Sequence, residues 1–293
     1  MAVGLATSPG ATGAAASRRA QLVDALDWVW RDPRVLVGGA ILLGLVVVAI
    51  FGPRFTSDPL LPDPELLLQP PSPGEWLGTD NYGRSVLARV VAGAQLDLLI
   101  ALFAAGLAFV VGSLVGGLTG FGGGAVDDVV MRLVDILQSF PAFLLALALA
   151  AMLGNETRNV VLAIAVAYSP YFVRIVRGEM LAARVTPYAL AARAVGNSPE
   201  RVMLYHLLPN CMGPAVVQLT LCLGYSILDA AGLSFLGIGI RPPTAEWGVL
   251  VAEGTQYVNS GQWWMAVFPG LAILVAVLSF NLLGDRLREA LRA

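Results

Sequence analysis

Residues 35–51 read VLVGGAILLGLVVVAIF, a run without a single polar side chain and close to the shortest that crosses a bilayer as a helix. Comparable apolar stretches recur at about 96–120, 129–153, 159–176, 211–237 and 265–283. In hydrocarbon no water satisfies backbone N–H and C=O groups, so segments of this kind become helices whose hydrogen bonds close internally. The pattern therefore predicts an all-α membrane protein with six transmembrane helices. Composition agrees: apolar residues make up 57% of the 293-residue chain and charged residues 13%, against roughly 25% charged in soluble domains.

Charge placement orients the bundle. All 18 basic residues are arginine, a bias shared with the Ala, Gly, Val and Leu content and read as a mark of a GC-rich genome. Thirteen of them fall in segments that six spans with cytoplasmic N and C termini place inside. The other five, Arg54, Arg84, Arg89, Arg158 and Arg241, fall outside, as the positive-inside rule requires. A net charge of −2 without a basic tail or patch gives no reason to expect nucleic acid as a partner. Cys211 and Cys222 read as one helix, about 16 Å apart in rise, too far for a disulfide, so buried free thiols are expected.

The polar interval 179–209 is the longest basic stretch between spans in the second half of the chain. Thr186 suits an N-cap with Pro187 at the first helical position, Ala189 to Val195 favour helix, and Gly196 suits a left-handed terminator. Ser198, Pro199 and Glu200 start a second helix that Pro209 interrupts. A chain that only had to turn would use a few residues, so about 30 ordered ones imply a docking element.

The remaining organisation follows from local signals. Residues 1–34 form a cytoplasmic tail, the first 17 residues of which are expected to be disordered; the late apolar run and the lack of a cleavage site argue against a secretory signal. Residues 52–92 are proline-rich and expected to be an irregular, exposed, extracytoplasmic loop. Within it Leu77, Gly78, Thr79, Asp80, Gly83 and Arg84 suit a tight turn, and Val86, Leu87, Val90 and Val91 a short interfacial helix. Residues 93–284 form a five-helix core and 285–293 a cytoplasmic end. Gly112 and Gly116 form a GxxxG pair for close helix approach, although glycine is also simply common in this chain. Pro141 is expected to kink the third span. Trp247, Trp263 and Trp264 are read as interfacial anchors, and Asp97 as a residue reaching the interface from a span end. Asp229 lies inside an apolar span, where an ionisable group faces a cavity or a partner. A packing or gate role is favoured for it over direct substrate contact, with Ser234 and Phe235 as neighbouring pathway or gate candidates. His206, the only histidine, lacks a carboxylate or cysteine cluster, so packing is favoured over catalysis. No P-loop, triad or metal-ligand spacing is present, so no catalytic residue, metal or cofactor is assigned to this chain.

Several stretches carry a family resemblance. Ala191-Ala192, Gly196 and Leu207-Leu208-Pro209 resemble the EAA coupling loop of ABC importer permeases, with Leu190 where the family has glutamate. LGTDNYGRS, residues 77–85, resembles the LGTD-x-x-GRD signature of the C-type permease of dipeptide and oligopeptide importers, with Ser85 in place of aspartate. Gln95 and Asp97 stand where arginine and serine are common. DILQSFPAFLL, AGLSFLGIGIRPPTAEWG, FPG and FNLLGDRLR continue the likeness to residue 288. The resemblance implies a type I ABC importer permease fold in the bacterial inner or plasma membrane. It implies a second permease as heterodimer partner, one or two ABC ATPase subunits holding ATP and Mg, and an extracytoplasmic substrate-binding protein. Di- or oligopeptides are the implied cargo; nickel chelates, glutathione or sugars are alternatives. An intramembrane serine protease built on Ser234 would need a histidine at membrane depth, and a secondary carrier would need charged relays in several spans; neither is favoured.

Overall fold

The computed structural model describes residues 32–290, so all but the last three residues of the expected tail at 1–34, and residues 291–293, lie outside it. Within these bounds every regular element is helical: α1 (Pro33–Phe51), α2 (Val86–Gly122), α3 (Gly124–Gln138), α4 (Ala142–Leu153), α5 (Thr157–Ala183), α6 (Pro187–Ala194), α7 (Pro199–Arg201), α8 (Gly213–Phe235), α9 (Trp247–Thr255) and α10 (Trp264–Ala290). Five of them, α1, α2, α5, α8 and α10, are long and apolar enough to cross a membrane.

The sixth crossing differs from the expected kinked span. α3 and α4 meet at 92° across a short break. Pro141 supplies no N–H and pushes Phe140 out of the helical region, while Ser139 closes α3 by donating its hydroxyl to Ile136 O at 2.6 Å. Charge explains why α3 does not sink into lipid. Asp127 is bonded by Arg177 at 2.5 and 2.6 Å, and Asp135 by Arg174 at 2.7 Å, which keeps α3 alongside one end of α5. The bent pair still returns the chain to the other end, where α5 begins, because α2 ends and α5 starts on opposite sides. Both described ends, Asp32 and the Arg286 region, meet on the side that carries α6 and α7, through an Arg286–Asp32 ion pair of 2.9 Å.

α2 is the axis of the bundle. Its 37 residues span about 55 Å, well beyond a hydrocarbon core of about 30 Å, so the expected interfacial helix at 86–91 is its own first turns. The boundary expected at residue 93 does not exist. Gly93 is tolerated in mid-helix because Trp247 packs on it: a Cβ there would meet Trp247 Cδ1 at 2.7 Å. α5 crosses α2 along Gly112, Gly116 and Gly120, where added Cβ atoms would meet Phe172 Cβ at 2.6 Å, Val173 O at 2.4 Å and Arg177 O at 2.8 Å. The glycine pair is therefore a working contact. α8 packs against α2, α5 and α10, while α1 lies on the periphery against α10 and α2. Cys211 precedes α8 in a 3₁₀ turn rather than lying in it, and both thiols are buried and free as expected.

Candidate functional site

The segment 184–212 leaves α5, forms α6, turns at Gly196 with φ +84°, and passes through α7 into a π-helical turn, Val202–Leu207, and a 3₁₀ turn, Leu208–Cys211. Thr186 occupies the N-cap position of α6, but its hydroxyl donates backwards to Ala183 O at 2.6 Å instead of capping. Asn197 closes the other end through Nδ2 to Ala192 O at 2.9 Å, and Ser198 Oγ accepts from Arg201 N as expected. Pro209 cannot donate to the helical ladder, and Asn210 Nδ2 takes the His206 carbonyl at 2.6 Å.

One face of this segment is buried and the other is not. Ala189, Val202, Met203 and Leu207 pack into the main core, with Leu208 and Ala192 partly covered. Outward, Val195 is 78% exposed, Tyr205 75%, Val185 69% and Leu190 54%. Of the expected loop residues, Ala191, Gly196 and Pro209 are exposed, Ala192 is half-buried and Leu207 is fully buried. Beside them an open hollow of about 580 Å³ is lined by Ser198, Glu200, Arg201, Leu204, Tyr205 and His206. His206 has no carboxylate or thiol partner recorded among the described side-chain bonds.

Two arginines tie this element to the bundle, and a third braces α5, from which it emerges, against α3. Arg184 donates to Gly120 O at 3.0 Å, Arg193 stacks over the Phe121 ring at 5.3 Å, and Arg177 binds Asp127 through both carboxylate oxygens. The Arg177 hydrogen bonds hold the Asp127 carboxyl below its ordinary range. Movement imposed on α6 would thus be felt at the ends of α2, α3 and α5 together.

The expected turn at the opposite end is a buried knot rather than an exposed loop. Gly78 and Gly83 have φ of +74° and +75°. Asp80 accepts from Tyr82 N and Arg84 N at 2.8 and 3.0 Å, and from Arg84 Nε and Arg89 Nη1 at 2.7 Å each. Arg89 also reaches Glu253 of α9 at 2.7 Å. Thr79 Oγ1 accepts from Gln69 N at 2.8 Å and donates to Leu66 O, and Trp264 Nε1 donates to Thr79 O at 3.1 Å. Leu77 packs with Val86, Trp264 and Met265. Thr79, Asp80 and Arg84 are buried where the proline-rich backbone folds back on itself, through bonds such as Leu68 N to Asp80 O and Thr79 N to Gln69 O at 3.0 Å each, and their side chains satisfy the groups those bonds leave over.

Mid-bundle, Asp229 of α8 accepts from Tyr168 of α5 at 2.8 Å. Tyr168 stacks on Tyr225 at 6.4 Å and meets Tyr171 at 5.9 Å. Tyr171 and Tyr225 are 37% and 44% exposed, so a polar aromatic strip opens beside Asp229 on an otherwise apolar surface. Ser234 is buried and its Oγ accepts from Ile240 N at 3.1 Å, whereas Phe235 is exposed. Ser234 and His206 lie at opposite ends of α8, which leaves the serine without a histidine within reach. Among the described residues no group of three or more His, Cys, Asp or Glu side chains is placed to hold a metal.

Two expectations fail here. Asp97 does not reach the interface: it is fully buried and accepts from Trp247 N at 3.0 Å. Trp247 is not an interfacial anchor but the largest fully buried side chain, its indole donating to Val90 O at 2.9 Å, and Trp264 is likewise buried. Only Trp263, 47% exposed, fits the anchor role. Arg89 and Glu253 escaped the sequence reading because they meet across 164 residues, and Glu246 because its burial depends on the packing of α9 onto α2; the one available signal was several charged residues beside apolar spans.

Comparison with known proteins agrees with this architecture. Residues 108–293 match the family described as binding-protein-dependent transport system inner membrane component. The chain is 38% identical to the dipeptide transport system permease protein of Alkalihalophilus pseudofirmus over 92% of its own length and 88% of that protein. It is 41% identical to the di/tripeptide transport system permease protein of Pseudomonas aeruginosa, covering 87% and 86%. It is 37% identical to the glutathione transport system permease protein of Pectobacterium atrosepticum, covering 86% of each. The chain belongs to the binding-protein-dependent transport system inner membrane component family, and is a membrane-embedded transport permease.

Proposed function

We propose, from this family membership, that the chain forms half of the translocation pathway of an ATP-driven importer of di- or oligopeptides. Its mate is a second permease. One or two ABC ATPase subunits hold ATP and Mg, and an extracytoplasmic binding protein delivers the cargo. The observation that carries the reading is the segment 179–209: its inner face is anchored in the core and to α2, while its outer face presents exposed apolar side chains not covered by any of the described residues. An element built that way transmits force from a bound subunit, because it has a surface to grip and rigid attachments behind it. The ATPase docks on α6, with Leu190 making an apolar contact where the resemblance leads one to expect a glutamate. The Asp229–Tyr168 pair and the adjacent tyrosines line the path, with hydrogen-bonding groups suited to the amides of a peptide. Glutathione is itself a small peptide, so the relative named for it falls within the same cargo class.

The test combines purification and uptake. The tagged chain should bring down a second six-span permease and a P-loop ATPase in stoichiometric amounts. Gly196→Pro and Ala192→Asp should abolish peptide uptake while leaving membrane insertion intact. Normal uptake by both variants, or purification of the chain alone, refutes the docking assignment.

A further inference from the structure

The bundle buries two carboxyl groups that no cation accompanies among the described residues. Asp97 on α2 and Glu246 at the head of α9 are both fully inaccessible. One oxygen of each is used: Asp97 Oδ2 accepts from Trp247 N at 3.0 Å, and Glu246 Oε2 from Val249 N at 2.8 Å. The remaining oxygens, Asp97 Oδ1 and Glu246 Oε1, are buried without a donor. The backbone N–H that Asp97 accepts belongs to Trp247, the residue after Glu246, so both carboxyl groups sit at the same point of the α2–α9 contact.

The surroundings supply no countercharge. On α2, Arg89 is committed to Asp80 and Glu253. On α9, Glu253 is the other charged group and faces Arg89. α8 offers Asp229, occupied by Tyr168, together with Cys222, Tyr225 and the Ser234 hydroxyl beside Glu246. α1 and α10 carry their charged residues, Arg34 and Asp285 onward, at the far end of the bundle. Two adjacent carboxylates in such a site cannot both stay ionised. Two acceptor oxygens that lack a donor are satisfied together by a single hydrogen between them.

We propose that Asp97 and Glu246 form a buried proton-binding site, in which one carboxyl carries a proton and donates it to the free oxygen of the other, fastening α9 onto α2. Burial pushes the Glu246 carboxyl above its ordinary range. The site is distinct from the docking segment and from the Asp229 strip, and it does not depend on what the permease carries. Removing the proton leaves two negative charges facing each other across the α2–α9 contact, so α9 is released as the solution becomes alkaline.

The linkage sign follows from the retained proton. A group whose folded-state affinity for protons is raised stabilises the fold below the unfolded pKa, and that stabilisation is lost as pH rises through the folded pKa. One proton held only by the folded state changes the folding equilibrium tenfold per pH unit across that window.

The experiment uses the full chain, with its co-purifying subunits, in lipid nanodiscs. Infrared difference spectra at neutral pH should show a protonated-carboxyl carbonyl band that Asp97→Asn and Glu246→Gln each remove. The melting temperature of the unaltered chain should fall on going from about pH 5 to about pH 9. The Asp97→Asn/Glu246→Gln double variant, which keeps the shape and supplies donors without a titratable group, should lose that component of the slope. An absent band, or an unchanged slope in the double variant, overturns the proposal. So does recovery of alkaline stability by sodium but not by choline at equal ionic strength, which would assign the site to a metal cation. If either single variant fails to fold, the pH slope and infrared band of the unaltered chain against the double variant still decide.

Discussion

Replacing Gly116 by alanine tests the central crossing directly. The added Cβ would lie 2.4 Å from Val173 O, where 3.4 Å is ordinary contact, so α2 and α5 must separate by about 1 Å. The obstruction is backbone, and no rotamer change relieves it. The separation also loosens Phe172 and Val176, both fully buried. Overpacking of this kind costs about 1–3 kcal/mol, offset by up to about 1 kcal/mol from the better helix propensity of alanine. The net loss is thus about 0–3 kcal/mol, and its midpoint of about 1.5 kcal/mol corresponds to a fall in melting temperature of roughly 3–6 °C. Gly106→Ala is the internal control, because no atom lies within 4 Å of a Cβ there. Melting curves of both variants, followed by fluorescence-detected size exclusion of the full chain, should show a loss for Gly116→Ala and none for Gly106→Ala. Equal melting of Gly116→Ala and the unaltered chain, or an equal fall in both variants, would refute the close crossing as the reason for glycine at this position.

Arg89→Met leaves Glu253 without its 2.7 Å partner in the buried knot and should cost about 3–5 kcal/mol, with Arg89→Met/Glu253→Gln recovering part of it; thermal melts of the three chains check this. Asp229→Asn retains the Tyr168 contact but removes the charge, and should lower peptide uptake without lowering the yield of folded chain; unchanged uptake removes Asp229 from the path. The Asp127–Arg177 pair gives a pH dependence of opposite sign to that of the Asp97–Glu246 site. Because the Asp127 carboxyl is held below its ordinary range, its stabilisation is complete above the unfolded pKa of about 4 and is lost as pH falls through the folded value. Limited proteolysis of 184–212 should therefore be constant between about pH 6 and about pH 8 and accelerate only in strong acid, whereas Asp127→Asn should be cleaved faster throughout.

What could be read from the sequence divides according to the range of the interaction. The Pro187 and Pro199 helix starts, the Gly196 turn and the Gly78–Gly83 turn rest on signals carried within a few residues, and each stands where the residues imply; of the spans, the second instead begins already at Val86 and the third is two helices. The break after Gln138 was half legible: Pro141 announced an interruption, but its angle depends on Asp127 and Asp135 finding Arg177 and Arg174 some 40–50 residues away. Asp97 was misplaced for the same reason. Its carboxylate meets a backbone N–H 150 residues further on, and hydropathy cannot report a partner delivered by another helix. Trp247 resembles a belt residue in sequence, being aromatic and between spans. Yet α2 extends far enough beyond hydrocarbon to meet it, so the indole closes a protein interface instead of touching lipid. These failures share a cause: the overlong α2 makes a second packing layer outside the membrane. Polar side chains can be buried against protein there, and so the extramembrane end holds the knot around Asp80 and the carboxyl pair between α2 and α9.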